Sequence, residues 1–248
     1  MVIQTTESRK EVVASRAVAR ARVYQLLSQA LIYPDDDVVA AMVETDLPQA
    51  REAMEFLPAD LEPELAAFSD HLTNISSSEL KSLHGHVFSH VVSADCPPCE
   101  AFYTAKEIFQ ETTELADIAG FFKAFGLTLA ENERVDHISV ELEFMHFLTY
   151  KEAYAQTHHD PARARFCRDT QRKFIRDHLG RWAAHFARLL DQKADGGYYS
   201  CLASLLEKFI SSEVAFLRVD PEITHVNQEW REAESDESGC PIGEACQE

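Results

Sequence analysis

The sequence predicts an all-α protein, and three observations favour this fold class. Apolar residues recur at three- and four-residue steps along most of the chain, which is the spacing of one face of an α-helix. Only 8 Gly and 9 Pro occur in 248 residues, and the Asn-Gly and Asp-Gly turns that join β-hairpins are nearly absent. Hydrophobic residues make up 46% of the chain, which is enough for a sizeable core. We expect a single-domain bundle of about eight to ten helices.

The N-terminal third contains local signals for helix starts. Ser8 followed by Glu11 forms a capping box, which opens a first amphipathic helix. Residues 35–57 predict one or two short helices interrupted at Pro48, and Pro58 and Pro63 bracket the start of the next helix. The charged face of the first helix carries basic residues that we expect to be exposed to solvent: Arg9, Lys10, Arg16, Arg20 and Arg22.

In the middle of the chain, Ser76 begins a helix of which the apolar stripe is clear. Residues 94–103 predict a loop, because their two consecutive prolines cannot lie inside a helix. Thr104 with Glu107 forms another capping box, and the helix that it opens runs to Gly126, a residue suited to a left-handed helix cap.

The C-terminal half predicts four longer helices. We expect Asp136 to cap a helix that ends near residue 157, and Asp160 to precede one that stops near Gly180. The apolar pattern predicts the last two helices over residues 181–193 and 200–218.

Composition divides the chain into one helical domain, residues 1–218, and an acidic tail containing two cysteines, residues 219–248. The 42 acidic and 23 basic residues give a formal charge of -19, which repels nucleic acid and anionic lipid and favours a cationic peptide as a partner. High solubility alone is a second explanation for this charge. Neither a secretory signal nor an apolar run long enough to enter a membrane is found, so we expect a cytoplasmic protein with reduced thiols.

Motif searches favour a binding protein over an enzyme. Gly-rich phosphate loops, a Gly-x-Ser-x-Gly turn and a His-Glu-x-x-His helix do not occur. His137 and Glu141 are four residues apart, so the carboxylate could hold the imidazole and raise its pKa. This pair has either a purely structural role or a functional one.

A metal-binding or redox protein is the alternative function. Residue types that bind zinc or iron are close together in one part of the sequence: His84, His86, His90, Cys96 and Cys99. His86 and His90 share a helix face, and Cys-Pro-Pro-Cys has the two-residue spacing of a zinc knuckle. Cys240 and Cys246 would add two thiolates, although their five-residue gap is wider than zinc ribbons normally use.

Three blocks resemble the TorD/DmsD/NarJ family of cytoplasmic chaperones for molybdenum-cofactor oxidoreductases. They are Cys96-Pro-Pro-Cys-Glu-Ala-Phe-Tyr103, residues 114–126, and Asp136-His-Ile-Ser-Val-Glu-Leu-Glu-Phe-Met145 with the following Lys151-Glu-Ala153. The resemblance extends over about residues 10–215. It implies a protein without turnover that binds the apo catalytic subunit of a molybdopterin oxidoreductase, often through its twin-arginine leader, and delays export until the cofactor is inserted.

The resemblance also implies a leader-binding site. Asp136 and His137 match an Asp-His motif implicated in leader binding, and Pro98, Glu100 and Tyr103 match a Pro-x-Glu-x-x-Tyr loop. A leader presents two arginines and then an apolar helix-prone run, which requires carboxylates beside an apolar groove. We expect guanidinium contacts from Asp136, Glu100 and Glu141, and a groove lined by Phe102, Tyr103 and Phe122. No resident cofactor is implied, and both monomers and homodimers occur in the family.

Overall fold

The computed structural model describes residues 6–88, 95–105, 108–130 and 133–224. Within these ranges the protein is a helical bundle without a β-strand, so the predicted all-α fold class is confirmed. The helices are α1 (Thr6–Ala30), α2 (Asp36–Ala41), a π-helical turn (Met42–Asp46), α3 (Leu47–Ala53), a 3-10 turn (Met54–Phe56), α4 (Glu62–Asn74), α5 (Ser77–Val87), α6 (Ala101–Thr104), α7 (Ile108–Ala124), α8 (Ile138–Thr157), α9 (Pro161–Asp177), α10 (Leu179–Ala194) and α11 (Gly197–Leu217).

Several predicted helix boundaries are confirmed by the contacts of the capping residues. The Ser76 hydroxyl accepts the backbone N–H of Glu79 at 3.2 Å, and Asp160 accepts that of Arg163 at 3.0 Å. Gly126 has φ of +73°, which suits its place after the end of α7. These starts and stops are local features, so the sequence alone identifies them.

Three predicted caps are wrong, and one predicted loop contains a helix. Ser8 lies inside α1, which begins at Thr6. α8 begins one residue later than expected, with His137 instead of Asp136 at the N-cap position. Thr104 lies inside α6, where its hydroxyl donates to the Glu100 carbonyl at 3.2 Å. The expected loop over 94–103 therefore ends in the first residues of the one-turn helix α6.

α8 is the central helix of the bundle. It packs most extensively against α1 and also contacts α9, while α11 packs against both α10 and α4. The core between these helices is rich in aromatic side chains that are fully buried: Tyr24, Phe68, Phe174, Trp182, Phe186 and Phe209. Each such side chain contributes roughly 1.5–3 kcal/mol through burial. Among the described helices, none is both long enough and apolar enough to cross a membrane.

Arg20 is fully buried and does not lie on a solvated helix face as the sequence predicted. Its guanidinium group donates to Glu213 on α11 at 2.7 Å and to Gln171 on α9 at 2.8 Å. Glu152 on α8 lies 3.6 Å from the same group, and the Tyr24 hydroxyl donates to Glu213 at 2.9 Å. This ionic cluster joins four helices, because a buried charge requires partners that replace its water.

A sharp break separates α9 from α10. A Cβ atom added to Gly180 would lie 2.3 Å from the carbonyl oxygen of Ile175, so only glycine permits this close approach of the two backbones. His178 lies at the break and is almost fully buried. The break thus places an ionisable side chain inside the bundle.

Candidate functional site

The loop that contains the Pro-x-Glu-x-x-Tyr motif, residues 98–103, which we call the motif loop, meets the Asp136-His137 motif at the start of α8. The Glu100 N–H donates to the Asp136 carbonyl at 2.9 Å, and the Ile138 N–H donates to the Pro98 carbonyl at 2.8 Å. Cys99 and His137 pair between these bonds as an isolated antiparallel β-bridge. The loop that precedes α6 is therefore fixed to the N-terminus of α8 by its backbone.

Asp136 is fully buried, and its carboxylate is occupied by Arg134. The guanidinium group donates to the two carboxylate oxygens at 2.9 and 3.0 Å, and the Ala101 N–H donates to the same carboxylate at 3.2 Å. Arg134 also donates to Glu111 at 2.9 Å. Each oxygen of the Asp136 carboxylate therefore already has a partner within the protein, and its expected contact with a guanidinium group of the client stays a prediction.

His137 caps α8 with its ring instead of pairing with Glu141. Nδ1 accepts the Ser139 N–H at 3.3 Å and lies 2.7 Å from the Ser139 hydroxyl. Burial lowers the pKa of His137 to about 4, although the nearby charge of Asp136 acts in the opposite direction. The expectation that a carboxylate raises the pKa of this imidazole is wrong, because Glu141 points into the core.

Glu141 and Glu100 form a buried pair of carboxyl groups. Both are fully inaccessible to solvent, and the Trp182 indole N–H donates to Glu141 at 3.3 Å. Burial raises the pKa of Glu141 well above its ordinary value, and the charge and hydrogen bond of Glu100 raise it further. The Oε1 atoms of the two groups have no other partner in the described part of the chain, so a proton held by Glu141 and donated to Glu100 satisfies both.

His178 connects this pair to the surface. Its Nδ1 lies 3.2 Å from Glu100, and its Nε2 lies 3.2 Å from Asp117, of which the side chain is 66% exposed. Burial lowers the pKa of His178, but hydrogen bonds and charge from Glu100 and Asp117 outweigh this effect, so the pKa is raised. These contacts form a continuous polar line from the buried carboxyl pair to the exposed Asp117.

Sequence reasoning missed His178 and Trp182 as members of this network. His178 lies between α9 and α10 and is 78 residues distant in sequence from Glu100. Trp182 lies on α10 and is 41 residues distant from Glu141. Both contacts form only when α10 packs against the residues that surround the motif loop. No short-range sequence pattern predicts them. Arg134 had a detectable signal, since it lies two residues before Asp136 in the sequence.

An apolar groove lies beside the start of α8 and is formed by two cavities. The first has a volume of about 350 Å³ and is lined by Phe122, Leu127, Thr128, Leu129, Ala130, Glu133, Val140, Glu143, Phe144 and Phe147. The second has a volume of about 540 Å³, and its lining includes Phe125, Phe147, Lys151, Tyr154, Arg163 and Phe166. Phe147 lines both cavities, so they lie next to each other, and we refer to the two together as the groove. Glu133 and Glu143 are exposed at the first cavity.

Of the residues expected to line a groove, only Phe122 reaches it. Tyr103 is buried, with its ring centroid 5.0 Å from that of Trp182 and its hydroxyl donating to the Pro97 carbonyl at 2.9 Å. Phe102 is partly buried against the core. The motif loop therefore supports the start of α8 from inside the fold.

The described residues do not bring the expected metal ligands together. Cys96 and Cys99 are buried free thiols, and burial raises the pKa of both, that of Cys96 to about 12. His84 lies 2.9 Å from the Tyr199 hydroxyl, and His86 is exposed. No group of three His, Cys, Asp or Glu residues in the described ranges could hold a metal ion. His90, Cys240 and Cys246 lie outside these ranges, so a zinc or iron site stays a prediction.

Comparison with known proteins identifies the family. The family model described as nitrate reductase delta subunit matches residues 55–188, more than half of the chain and including both motifs. The chain belongs to this TorD/NarJ family. The perchlorate reductase assembly chaperone protein of Dechloromonas aromatica is 27% identical over 213 residues, which cover 80% of this chain and 90% of that relative.

Other members of the TorD/NarJ family match shorter parts of the chain. Chaperone protein TorD of Photobacterium profundum is 34% identical over 86 residues, 35% of this chain and 38% of that protein. TorD of Aliivibrio salmonicida is 28% identical over 122 residues, 48% and 55% of the two chains. The crystal structure of a proposed redox enzyme maturation protein from Archaeoglobus fulgidus covers 77% of this chain and 93% of its own, with a TM-score of 0.51 and 20% identity. This likeness supports the fold.

Proposed function

We propose that the protein is a cytoplasmic chaperone for the catalytic subunit of a molybdenum-cofactor oxidoreductase. The observation that carries the proposal is the match to an assembly chaperone over most of both chains, within a family that the motif region shares. The protein would act by binding the apo subunit and would perform no turnover of its own. It would delay export of the subunit until the cofactor is inserted.

We assign the binding of the twin-arginine leader to the apolar groove. Glu133 and Glu143 are exposed at the first cavity, and none of the described residues that line it is basic. Arg134, which follows Glu133, is held by Asp136 and Glu111. The leader arginines would meet Glu133 and Glu143, and the apolar run would lie over the aromatic side chains of the groove.

This assignment gives the buried motif residues a positioning role. Asp136 holds Arg134 away from the groove, and His137 fixes the first turn of α8 through Ser139. Both therefore determine where Glu133 and the first cavity lie, although neither contacts the leader. A substitution of either residue would weaken leader binding by moving the edge of the groove.

Titration of a synthetic twin-arginine leader peptide into the protein tests the site. The Glu133→Gln/Glu143→Gln variant should bind about five- to tenfold more weakly, because exposed ion pairs contribute about 0.2–1 kcal/mol each. Replacing the two leader arginines with glutamine should give the same loss, and it should add little in the double variant. Glu55→Gln changes an exposed carboxylate that is not among the residues lining either cavity; it is the matched control and should bind like the wild type.

Two results would contradict these proposals in different ways. Wild-type affinity in the Glu133→Gln/Glu143→Gln variant, with a loss in a natively folded Asp136→Asn variant, would return the site to the motif. Failure of the tagged protein to retain a cofactor-free catalytic subunit from cells blocked in molybdenum cofactor synthesis would refute the chaperone role itself.

A further inference from the structure

α9 has the opposite charge to the rest of the protein. The chain has a formal charge of -19, yet the sequence of α9, PARARFCRDTQRKFIRD, contains six basic and two acidic residues. Its solvent-facing side carries four of the basic residues, which we call the basic face: Arg165, Arg172, Lys173 and Arg176. This face lies outside the proposed leader contacts at Glu133 and Glu143.

Much of the positive charge on the basic face has no acidic partner. Arg176 pairs with Asp177 at 2.6 Å, and Arg172 donates to the Leu217 carbonyl, which leaves its charge uncompensated. No ion pair of Arg165 or Lys173 with another described residue is found. The exposed Asp169 reduces the net charge of the face but does not reverse it.

The described chain ends close to this face. Arg172 donates to the Leu217 carbonyl at 2.8 Å, so the end of α11 lies against the middle of α9. Thr224, the last described residue, donates its N–H to the Arg181 carbonyl at 3.0 Å, and Arg181 donates to the Asp177 carbonyl at 3.3 Å. The chain therefore leaves the described structure next to the end of α9.

The residues that follow Thr224 are mainly acidic, so their net charge is opposite to that of the basic face. Residues 225–248 contain a single basic residue, Arg231, and an acidic run made of Glu229, Glu232, Glu234, Asp236 and Glu237. Glu237 lies thirteen positions beyond Thr224, and an extended chain of that length reaches about 40 Å. The basic face is only about 17 Å long from Arg165 to Arg176 at the helical rise.

We propose that residues 229–237 bind to the basic face of α9 in the same molecule. Tethering at Thr224 gives the acidic run an effective concentration of about millimolar at a face within its reach. The carboxylates of the acidic run would compensate the basic side chains that α9 exposes to water. This electrostatic attraction weakens as the salt concentration increases. The tail then covers α9 beside Phe166, which lines the second cavity of the groove.

Zero-length carbodiimide cross-linking of the full chain locates the tail. Lys173 is the only lysine of α9, and we expect peptides that join it to the acidic run in monomeric protein. Lys173→Arg keeps the charge but should abolish these peptides, and the exposed Lys123 of α7 should form none. A mixture of isotopically heavy and light chains separates links within one molecule from links between copies.

Cleavage by trypsin measures how far the tail is protected, because Arg231 is the only trypsin site in residues 225–248. We expect the bond after Arg231 to be cut at least fivefold more slowly than in the free peptide 225–248. Arg165→Glu/Lys173→Glu should restore the rate of the free peptide, as should 1 M salt, whereas the control Lys123→Glu should not. Circular dichroism checks that each variant remains folded.

The proposal is overturned if Arg231 is cut in the wild type as fast as in the free peptide, with no link from Lys173 to the acidic run. Links found only between heavy and light chains would also overturn it, because the basic face would then bind the tail of a second copy. No leader peptide is present in these experiments. Their outcome is therefore independent of the proposed chaperone function.

Discussion

Glu141→Gln is the substitution that tests the buried carboxyl pair most directly. A glutamine has nearly the shape of a protonated glutamic acid, so its N–H can donate to Glu100 while its oxygen accepts from Trp182. Where Glu141 is protonated in both the folded and the unfolded protein, the two chains should have similar free energies of unfolding. The difference between them should appear as the pH rises.

The direction follows from the raised pKa of Glu141. Above the ordinary pKa of glutamic acid, the unfolded chain loses this proton while the folded chain keeps it, so folding of the wild type becomes less favourable. The glutamine variant has no such proton. Its stability relative to the wild type should increase by about 1.4 kcal/mol for each pH unit between the ordinary and the raised pKa. His178 titrates in both chains, so its contribution largely cancels.

Urea unfolding at pH 5, 6 and 7, followed by circular dichroism, measures this difference. Glu141→Leu is the matched control, because leucine fills a similar volume but leaves Glu100 Oε1 and the Trp182 indole N–H without a partner. It should cost about 1–3 kcal/mol for each unpaired group. Parallel stability profiles of the wild type and Glu141→Gln from pH 5 to pH 7 would show that Glu141 is ionised in the folded protein and would refute the shared proton.

Three further substitutions test other parts of the structure. His137→Asn keeps a helix cap but removes a group with a lowered pKa. The wild type loses stability as the pH falls from about 6.5 towards 4, because the unfolded chain takes up a proton that the folded chain does not. In urea unfolding, the stability of the variant relative to the wild type should therefore increase by about 1.4 kcal/mol for each pH unit of this fall. Arg20→Met leaves Glu213 buried without its cation and should cost about 3–5 kcal/mol, most of which Glu213→Leu should restore in the double variant. Gly180→Ala places a methyl group 2.3 Å from the Ile175 carbonyl and should lower the free energy of unfolding by about 1–3 kcal/mol, whereas Gly120→Ala, with open space around it, should not.

Local chemistry explains why most of the fold could be predicted from the sequence. Ser76 and Asp160 cap helices through contacts three residues away, and Pro63 lies in the first turn of α4. These signals act within a few residues, so they can be recognised in the sequence without knowledge of the tertiary structure. The one-residue error at Asp136 arises because this side chain pairs with Arg134 and does not cap the helix.

The candidate site was predicted less well because burial decides it. Arg20 belongs to a charged stripe in the sequence, yet its partner Glu213 is 193 residues distant, and only the packing of α1 against α11 brings them together. Glu100 and Glu141 look like ligands for arginine in the sequence, but α10 covers them. The two motifs meet in the structure, whereas the assignment of their carboxylates to the client did not consider that a buried carboxylate already has a partner in the protein.

On the proposed function, this division between buried and exposed carboxylates determines how a client can be released. A leader arginine that displaced Arg134 would have to break two hydrogen bonds to Asp136 and enter a site where this carboxylate is fully buried, which makes exchange slow. Glu133 and Glu143 at the exposed edge of the groove impose no such cost, and each contributes modestly to the affinity. Most of the binding energy must then come from apolar area in the groove. A leader bound in this way dissociates without rearrangement of the buried network, as expected of a chaperone that must hand over its client after maturation.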